Sequence, residues 1–371
     1  MNEKVSLLSL FEYNLHEMNN KLTATILFIL PVFILFGFFS CGSKSHTESV
    51  LAKRVDSLLS FNEQKPFSGI VLIDRNDTIQ YLKVTGYSDM EKKIPLDIDD
   101  QFVIGSISKQ FTAVVVLQEY DKGNIDLSVP IRHYLPELKE KWADTINVHH
   151  LLTHTHGIVA LDKPTLFEAG TQYDYSQIGY DLLAKVAEKT SGKSFAQLSS
   201  ELFSLCGMEN TFHPDIKEYK RLVKGYQEED NGELVASSES LRQYPAAGAF
   251  ISTAKDLLLW NNNFYGGKLL KDETFEMLTT KQKNAIRNHP IFGITEYGYG
   301  ITVDDKQNIR QWGQTGYAPG FASMSFYFPE TKTSAIVLEN ICYDMHDTKK
   351  TFFCHSTILD IVRKNIQENN D

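Results

Sequence analysis

The stretch QFVIGSISKQFTA, Gln101–Ala113, sets Ser106 three residues ahead of Lys109, where the apolar run Phe111–Leu117 begins. The run FTAVVVL is apolar almost all round, and a helix without a polar face is normally buried. The pattern therefore predicts a central helix with Ser106 at its N-terminal end. Unpaired N–H groups and the positive end of the helix dipole favour negative charge there. A serine hydroxyl is a poor nucleophile until a neighbour takes its proton. Residues i and i+3 share a helix face, so Lys109 can reach back to Ser106. A desolvated amine has a lowered pKa and can serve as that base. The spacing also fits an ordinary helix start with a solvated lysine. The chain holds a second example, Ser252-Thr-Ala-Lys255 in AAGAFISTAKDLLLW. There Thr253 and Asp256 have capping-box spacing, which reads Ser252 as a helix cap. Spacing cannot choose between the two serines, so their neighbours must.

The chain has 371 residues and 42% hydrophobic content, enough to bury a full core. Its formal charge is -10 with no Lys/Arg stripe, which argues against a nucleic-acid partner. The N-terminus differs from the rest. Lys21 precedes the uncharged stretch Leu22–Phe39, and Ser-Cys-Gly-Ser follows. A basic residue, an apolar run and a small-residue boundary predict a signal peptide over residues 1–40. The boundary resembles a bacterial lipoprotein box with Cys41 as the lipidated residue, so an exported protein anchored in the cell envelope is expected. Met18 offers an alternative start. A retained anchor helix and simple secretion are the other readings of the same stretch. The remaining cysteines, Cys206, Cys342 and Cys354, read as buried thiols, with Cys342–Cys354 as the nearest pair for a disulfide.

After Cys41, SVLAKRVDSLLSF places Leu51, Val55, Leu58 and Leu59 on one helical face. A hairpin around Arg75-Asn76-Asp77 follows, and a second turns at Pro329–Lys332. A closing helix carries Phe352, Phe353, Ile358, Leu359, Ile361 and Val362. Hairpins near both ends flank a middle rich in helical patterns. The expected fold is α/β of the α+β kind: an antiparallel sheet built from N- and C-terminal segments, flanked by helices, with an inserted, mostly helical subdomain. The sheet region spans about 50–118 and 245–371, and the helical region about 119–244.

From about Phe67 to Asn340 the chain resembles the serine β-lactamase-related family: class C β-lactamases, D-Ala-D-Ala carboxypeptidases, penicillin-binding-protein-like hydrolases and related esterases and peptidases. The resemblance rests on ordered stretches. IGSISKQFTA is similar to the nucleophile segment, VPIRHYLPEL and VHHLLTHTHGI to the connecting stretch, and YDYSQIGYDLLAKVAEK to the second motif. AAGAFISTAKDL is similar to the helix after it, and WGQTGYAPGF to the third motif. The resemblance implies a β-lactamase-like serine hydrolase domain over 41–371. Ser106 would be its acylated nucleophile, Lys109 its partner, and Tyr175 the tyrosine that shuttles the proton. The backbone N–H groups of Ser106 and Tyr317 would form the oxyanion hole. Gln177, Gln314, Thr315 and Gly316 would contact substrate.

Two positions depart from the family pattern. The second motif ends in Gln177 where asparagine is usual, and the third begins with Gln314 where lysine or histidine is usual. A charge-assisted hydrogen bond contributes about 1.5–3 kcal/mol against ~1 for a neutral one, so a neutral ester, amide or peptide suits Gln314 better than an anion. His149, His150, His154 and His156 crowd one stretch, but no HExxH pattern or nearby carboxylate completes a metal site. His156 either lines the cleft or fills space; Trp312 and Tyr317 either wall the pocket or pack. No metal and no cofactor are expected. The substrate is expected to be a small molecule or peptide, with cell-wall material as one source. The competing reading is a cell-wall or peptide-binding protein of the same fold that has lost turnover.

Overall fold

The computed structural model describes residues 49–61, 65–215, 220–237, 244–344 and 346–369. The apolar stretch Leu22–Phe39 and Cys41 lie outside the described residues. Helix α1 (Val50–Leu59) starts at Ser49, whose side chain accepts from the Ala52 amide. Strands β1 (Gly69–Arg75) and β2 (Thr78–Thr85) are joined through Asn76 and Asp77 at φ 52° and 61°. Short polar side chains tolerate this left-handed region, whose twist matches a two-residue hairpin. Helices α2 (Ser108–Asp121), α3 (Gln177–Ser191), α4 (Phe195–Cys206) and α5 (Ala254–Phe264) come next. The chain then returns to strands: β3 (Ile286–His289), β4 (Gly293–Tyr297), β5 (Thr302–Asp304), β6 (Gln311–Ala318), β7 (Phe321–Phe328) and β8 (Thr333–Glu339). Helix α6 (Phe353–Glu368) follows them.

These strands form one eight-stranded antiparallel sheet in the order β2-β1-β8-β7-β6-β5-β4-β3. The two predicted hairpins meet toward the β2 end of the sheet, where Gly69 pairs with Glu339 and Arg75 with Thr333. The pleat sorts the side chains. Val71, Ile73, Ala335 and Val337 face a core shared with Leu51, Val55, Ile358, Leu359 and Val362 of α1 and α6. Ile70, Leu72, Ile336 and Leu338 face the opposite core, which holds α2. Both sheet faces are thus covered, and each fully buried aliphatic side chain contributes about 1.5–3 kcal/mol. Helix α2 is the buried element that its composition predicts. Phe111, fully buried, meets the rings of Phe203, Phe250 and Trp260 edge-on at 5.0, 5.4 and 4.6 Å.

Several local expectations need correction. Phe352 precedes α6 and packs on Ala322 and Cys342, while Phe353 is 48% exposed. The middle region also contains strands Tyr226–Glu228 and Leu234–Ala236, which pair with each other, and the first of them also pairs with Ile341–Cys342. The three cysteines Cys206, Cys342 and Cys354 are free, so no Cys342–Cys354 disulfide forms. The cap of α5 is Thr253, whose hydroxyl accepts from the Asp256 amide at 3.1 Å. Ser252 lies one residue earlier, in a short strand opposite Phe102, and its hydroxyl meets that of Thr211 at 2.8 Å. Lys255 points away to an exposed ion pair with Asp99. The second Ser-x-x-Lys is therefore a strand end followed by a capped helix. Among the described residues no helix is long and apolar enough to cross a membrane.

Candidate active site

Ser106 lies on the single turn Gly105–Ile107 that leads into α2, and it is partly exposed. Gly105 has φ +53°, and a Cβ there would fall 2.4 Å from the Tyr317 nitrogen. A Cβ on Gly316 would fall 1.9 Å from the Ile104 carbonyl oxygen. The nucleophile turn and β6 therefore meet backbone to backbone, an approach that only two glycines allow. Ser323 locks the contact by donating to the Ile104 and Gly316 carbonyls at 2.7 and 3.2 Å. The Tyr317 backbone is thereby held against the turn that carries Ser106.

Lys109 is fully buried, one helical turn into the protein. Its Nζ lies 2.6 Å from Gln177 Oε1, 2.8 Å from the Ala247 carbonyl and 3.3 Å from Ser106 Oγ. The first two partners are pure acceptors. A neutral amine has two N–H bonds to give them and keeps its lone pair for its other neighbours, the Ser106 hydroxyl and the Tyr175 phenol. Burial pushes the amine below the usual lysine range, and Tyr175 pulls it part of the way back. Asp181, one turn after Gln177 in α3, also acts on Lys109; burial pushes its own carboxyl up to about 6.

Tyr175 precedes α3, whose N-cap is Ser176. The Tyr175 phenol lies close enough to Ser106 and Lys109 for both to favour its ionised form. The Lys109 ammonium position is 4.6 Å from its ring centroid. Burial alone would push the phenol up, but the Lys109 and Arg287 cations outweigh it and bring the phenol below its ordinary range. Lysine and phenol therefore titrate as one pair sharing a proton. The structure brings together Ser106, Lys109, Tyr175 and Gln177 as the sequence motifs anticipate. The Gln177 amide serves Lys109 through its oxygen, so the extra methylene is used to clamp the lysine.

The third motif is arranged differently. Gln314 is fully buried; its Nε2 donates to the Tyr297 hydroxyl at 3.1 Å, and its Oε1 accepts from Thr302 at 3.4 Å. Its side chain is spent between strands. Thr315 Oγ1 meets His289 Nε2 at 3.3 Å, and Tyr317 is 38% exposed. Trp312 packs, with its ring stacked 5.9 Å from Tyr265.

The four clustered histidines take separate structural posts. His149 Nδ1 meets the Tyr299 hydroxyl at 2.8 Å, and His150 completes a capping box with Asn147. His154 is buried among Tyr173, Tyr175, Tyr180 and Tyr297, and its Nδ1 accepts from the Ser176 amide. His156 fills space against Gly179 and accepts from the Ile158 amide at 2.9 Å. Burial holds His150 at about 4 and His156 at about 3, so both are neutral near pH 7. Among the described residues no three metal-ligating side chains gather.

One residue at the site carries no motif. Arg287 on β3 holds its guanidinium carbon 4.3 Å from the Tyr175 ring centroid. The only hint in the sequence is the alternation of Arg287 and His289 in a short strand, which says nothing about where that strand docks.

Fold and site together define a serine hydrolase. The chain belongs to the Beta-lactamase family, whose model matches residues 55–352. A beta-lactamase from Providencia stuartii is 24% identical over 307 residues, covering 69% of this chain and 77% of its own length. A teichoic acid D-alanine hydrolase from Staphylococcus aureus is 26% identical over 288 residues, covering 71% of this chain and 68% of its own. Among solved structures, the D-amino acid amidase from Ochrobactrum anthropi SV3, complexed with L-phenylalanine amide, superposes with a TM-score of 0.74. At 21% identity, covering 85% of this chain and 99% of that one, it is a likeness of fold.

Proposed function

We propose that this protein cleaves an ester, amide or peptide bond through an acyl-enzyme on Ser106. The observation that carries the reading is the buried Lys109 amine, held by Gln177 and Ala247 at 3.3 Å from Ser106 Oγ. The Ser106 proton passes to the Lys109–Tyr175 pair as Oγ attacks the substrate carbonyl. The N–H groups of Ser106 and Tyr317 receive the developing oxyanion. The pair returns the proton to the departing alcohol or amine, and water then enters, gives a proton to the same pair and releases the acid. Nothing favours the reading as a binding protein without turnover, since nucleophile, base and phenol all converge.

The names of the relatives, a D-alanine hydrolase and a D-amino acid amidase, support a small D-amino acyl group as substrate. D-Alanine 4-nitroanilide and its L-enantiomer test this by release of nitroaniline from the full-length protein. The expected result is a kcat/KM at least about ten-fold higher for the D form. Equal turnover, or an L preference, would remove the stereochemical part of the reading.

Export and lipid anchoring at Cys41 belong to the same reading, supported by the run Leu22–Phe39 and the small residues around the cysteine. Cys41→Ser is expected to move the protein from the membrane fraction to the soluble fraction of expressing bacteria. Unchanged fractionation of that variant would contradict lipidation.

A further inference from the structure

The outer surface of α1 and α6 carries large apolar side chains that the protein itself leaves uncovered. Phe61 is 79% exposed, Val50 56% and Phe353 48%. Two open grooves of about 600 and 530 Å³ run together there, since Leu58, Phe61 and Phe353 line both. Neither groove is lined by Ser106, Lys109 or Tyr175, so the patch is no part of the catalytic site. A contiguous exposed apolar patch marks a surface that meets lipid or another molecule.

The rim of the patch and its place in the chain indicate which. Lys53 and Lys349 are exposed and make no ion pair among the described residues. Arg54, Lys65 and Lys350 stand with them at the rim, paired with Glu368, Glu228 and Asp344. In a chain of formal charge -10, basic side chains thus gather around one apolar surface. That combination suits the boundary of an anionic bilayer. Apolar side chains enter the edge of the acyl region, while the long stems of lysine and arginine carry their charges to the headgroups. The patch also starts beside the expected anchor. Val50 opens α1, and its N-cap Ser49 follows Cys41 by eight residues. Eight residues span at most about 29 Å when fully extended, so a lipid on Cys41 would hold the start of α1 within that distance of the membrane. Helices α1 and α6 cover one face of the sheet, and α2, with Ser106 at its start, lies on the other.

We propose that the α1–α6 face rests on an anionic lipid bilayer, with Val50, Phe61 and Phe353 at the acyl boundary and Lys53 and Lys349 at the headgroups, so that the sheet separates Ser106 from the lipid. The inference rests on the anchoring at Cys41 proposed above and names the surface that the anchor presents to the membrane.

The test uses the full-length chain, expressed in bacteria, purified from their membranes and placed in vesicles of phosphatidylethanolamine, phosphatidylglycerol and a spin-labelled lipid. A fluorophore is attached at Phe61→Cys or, for comparison, at Leu166→Cys. Leu166 is 63% exposed and lies in the loop that joins His156 to Tyr173 at the catalytic site. Cys206 and Cys342 are buried, and burial pushes the Cys354 thiol up to about 12, so labelling of the unsubstituted chain sets a low background. Quenching by the spin label is expected to be at least about three-fold greater at position 61 than at 166, because only side chains at the acyl boundary meet it. Adding Val50→Asp and Phe353→Asp to the Phe61→Cys chain should lower its quenching to that of Leu166→Cys. Vesicles of phosphatidylcholine, which carry no net charge, should lower it in part. Equal quenching at the two positions of a lipidated chain would overturn the proposal, since the domain would then turn freely on its tether. So would energy transfer between Phe61 probes of two molecules without lipid quenching, which would make a second copy the occupant. Intact mass reports whether Cys41 carries lipid. If it carries none and neither probe is quenched, the anchoring reading itself fails and the membrane face falls with it.

Discussion

Replacing Ser106 with alanine is expected to abolish turnover, by a factor on the order of 10³ or more, with little change in thermal stability. The loss is large because no other described hydroxyl combines partial exposure with contact to Lys109 and Tyr175. The stability change is small because Ser106 lies at the cleft, outside the two apolar cores, and gives up one long hydrogen bond from Lys109. A bond of that kind contributes about 0.5–1.5 kcal/mol. Steady-state hydrolysis of an activated ester, alongside a thermal melt, reads both quantities. Retained hydrolysis in a folded Ser106→Ala protein would sink the assignment of the nucleophile.

The second large effect is expected from Lys109→Met. Methionine conserves the volume of the buried side chain, so no sizeable cavity forms in α2. It removes the amine and leaves Gln177 Oε1 and the Ala247 carbonyl without their donor, a destabilisation of about 1–3 kcal/mol. The kcat/KM should fall by a factor on the order of 10²–10⁴, the usual contribution of a positioned base. The pH dependence supplies the sign. In the wild type, activity rises with pH as the Lys109–Tyr175 pair loses its first proton. Burial lowers the lysine, and the Lys109 and Arg287 cations bring Tyr175 down, so the rise lies below the ordinary range of either group. Without Lys109 the burial of Tyr175 is opposed only by Arg287 and Ser106, and the rise should move to higher pH. A variant with wild-type kcat/KM, or with an unmoved profile, would show that Lys109 is not the base.

The order of the motifs made the sheet, the central helix and the place of Ser106 at its start legible in the sequence. Each depends on local pattern: the all-apolar run after Lys109, turn residues such as Asn76 and Asp77, and the short apolar runs Ile70–Ile73 in β1 and Ala335–Leu338 in β8. Tyr175 was legible only through the resemblance of its flanking stretch, YDYSQIGYDLLAKVAEK, to the family's second motif. What escaped depends on long-range packing. Arg287 sits in a strand four residues long, and only the docking of that hairpin over Tyr175 gives it a role. Whether Gln314 faces the cleft or the strands beside it depends on Tyr297 and Thr302, residues that no motif marks. The cap at Thr253 was misassigned to Ser252 by a single position, because a short strand partner, Phe102–Val103, claims Ser252 first. The histidine cluster looked like one feature in the sequence, yet the fold distributes it to four unrelated contacts.

The central claim is that Ser106 is a nucleophile activated by a buried lysine. The most direct measurement is treatment of the full-length protein with a serine-reactive fluorophosphonate, followed by intact and peptide mass, with Ser106→Ala as control. One adduct on the peptide carrying Ser106, absent from the control, is the result this account predicts. An unlabelled but folded wild type would contradict it, as would an adduct on another serine, Ser252 included.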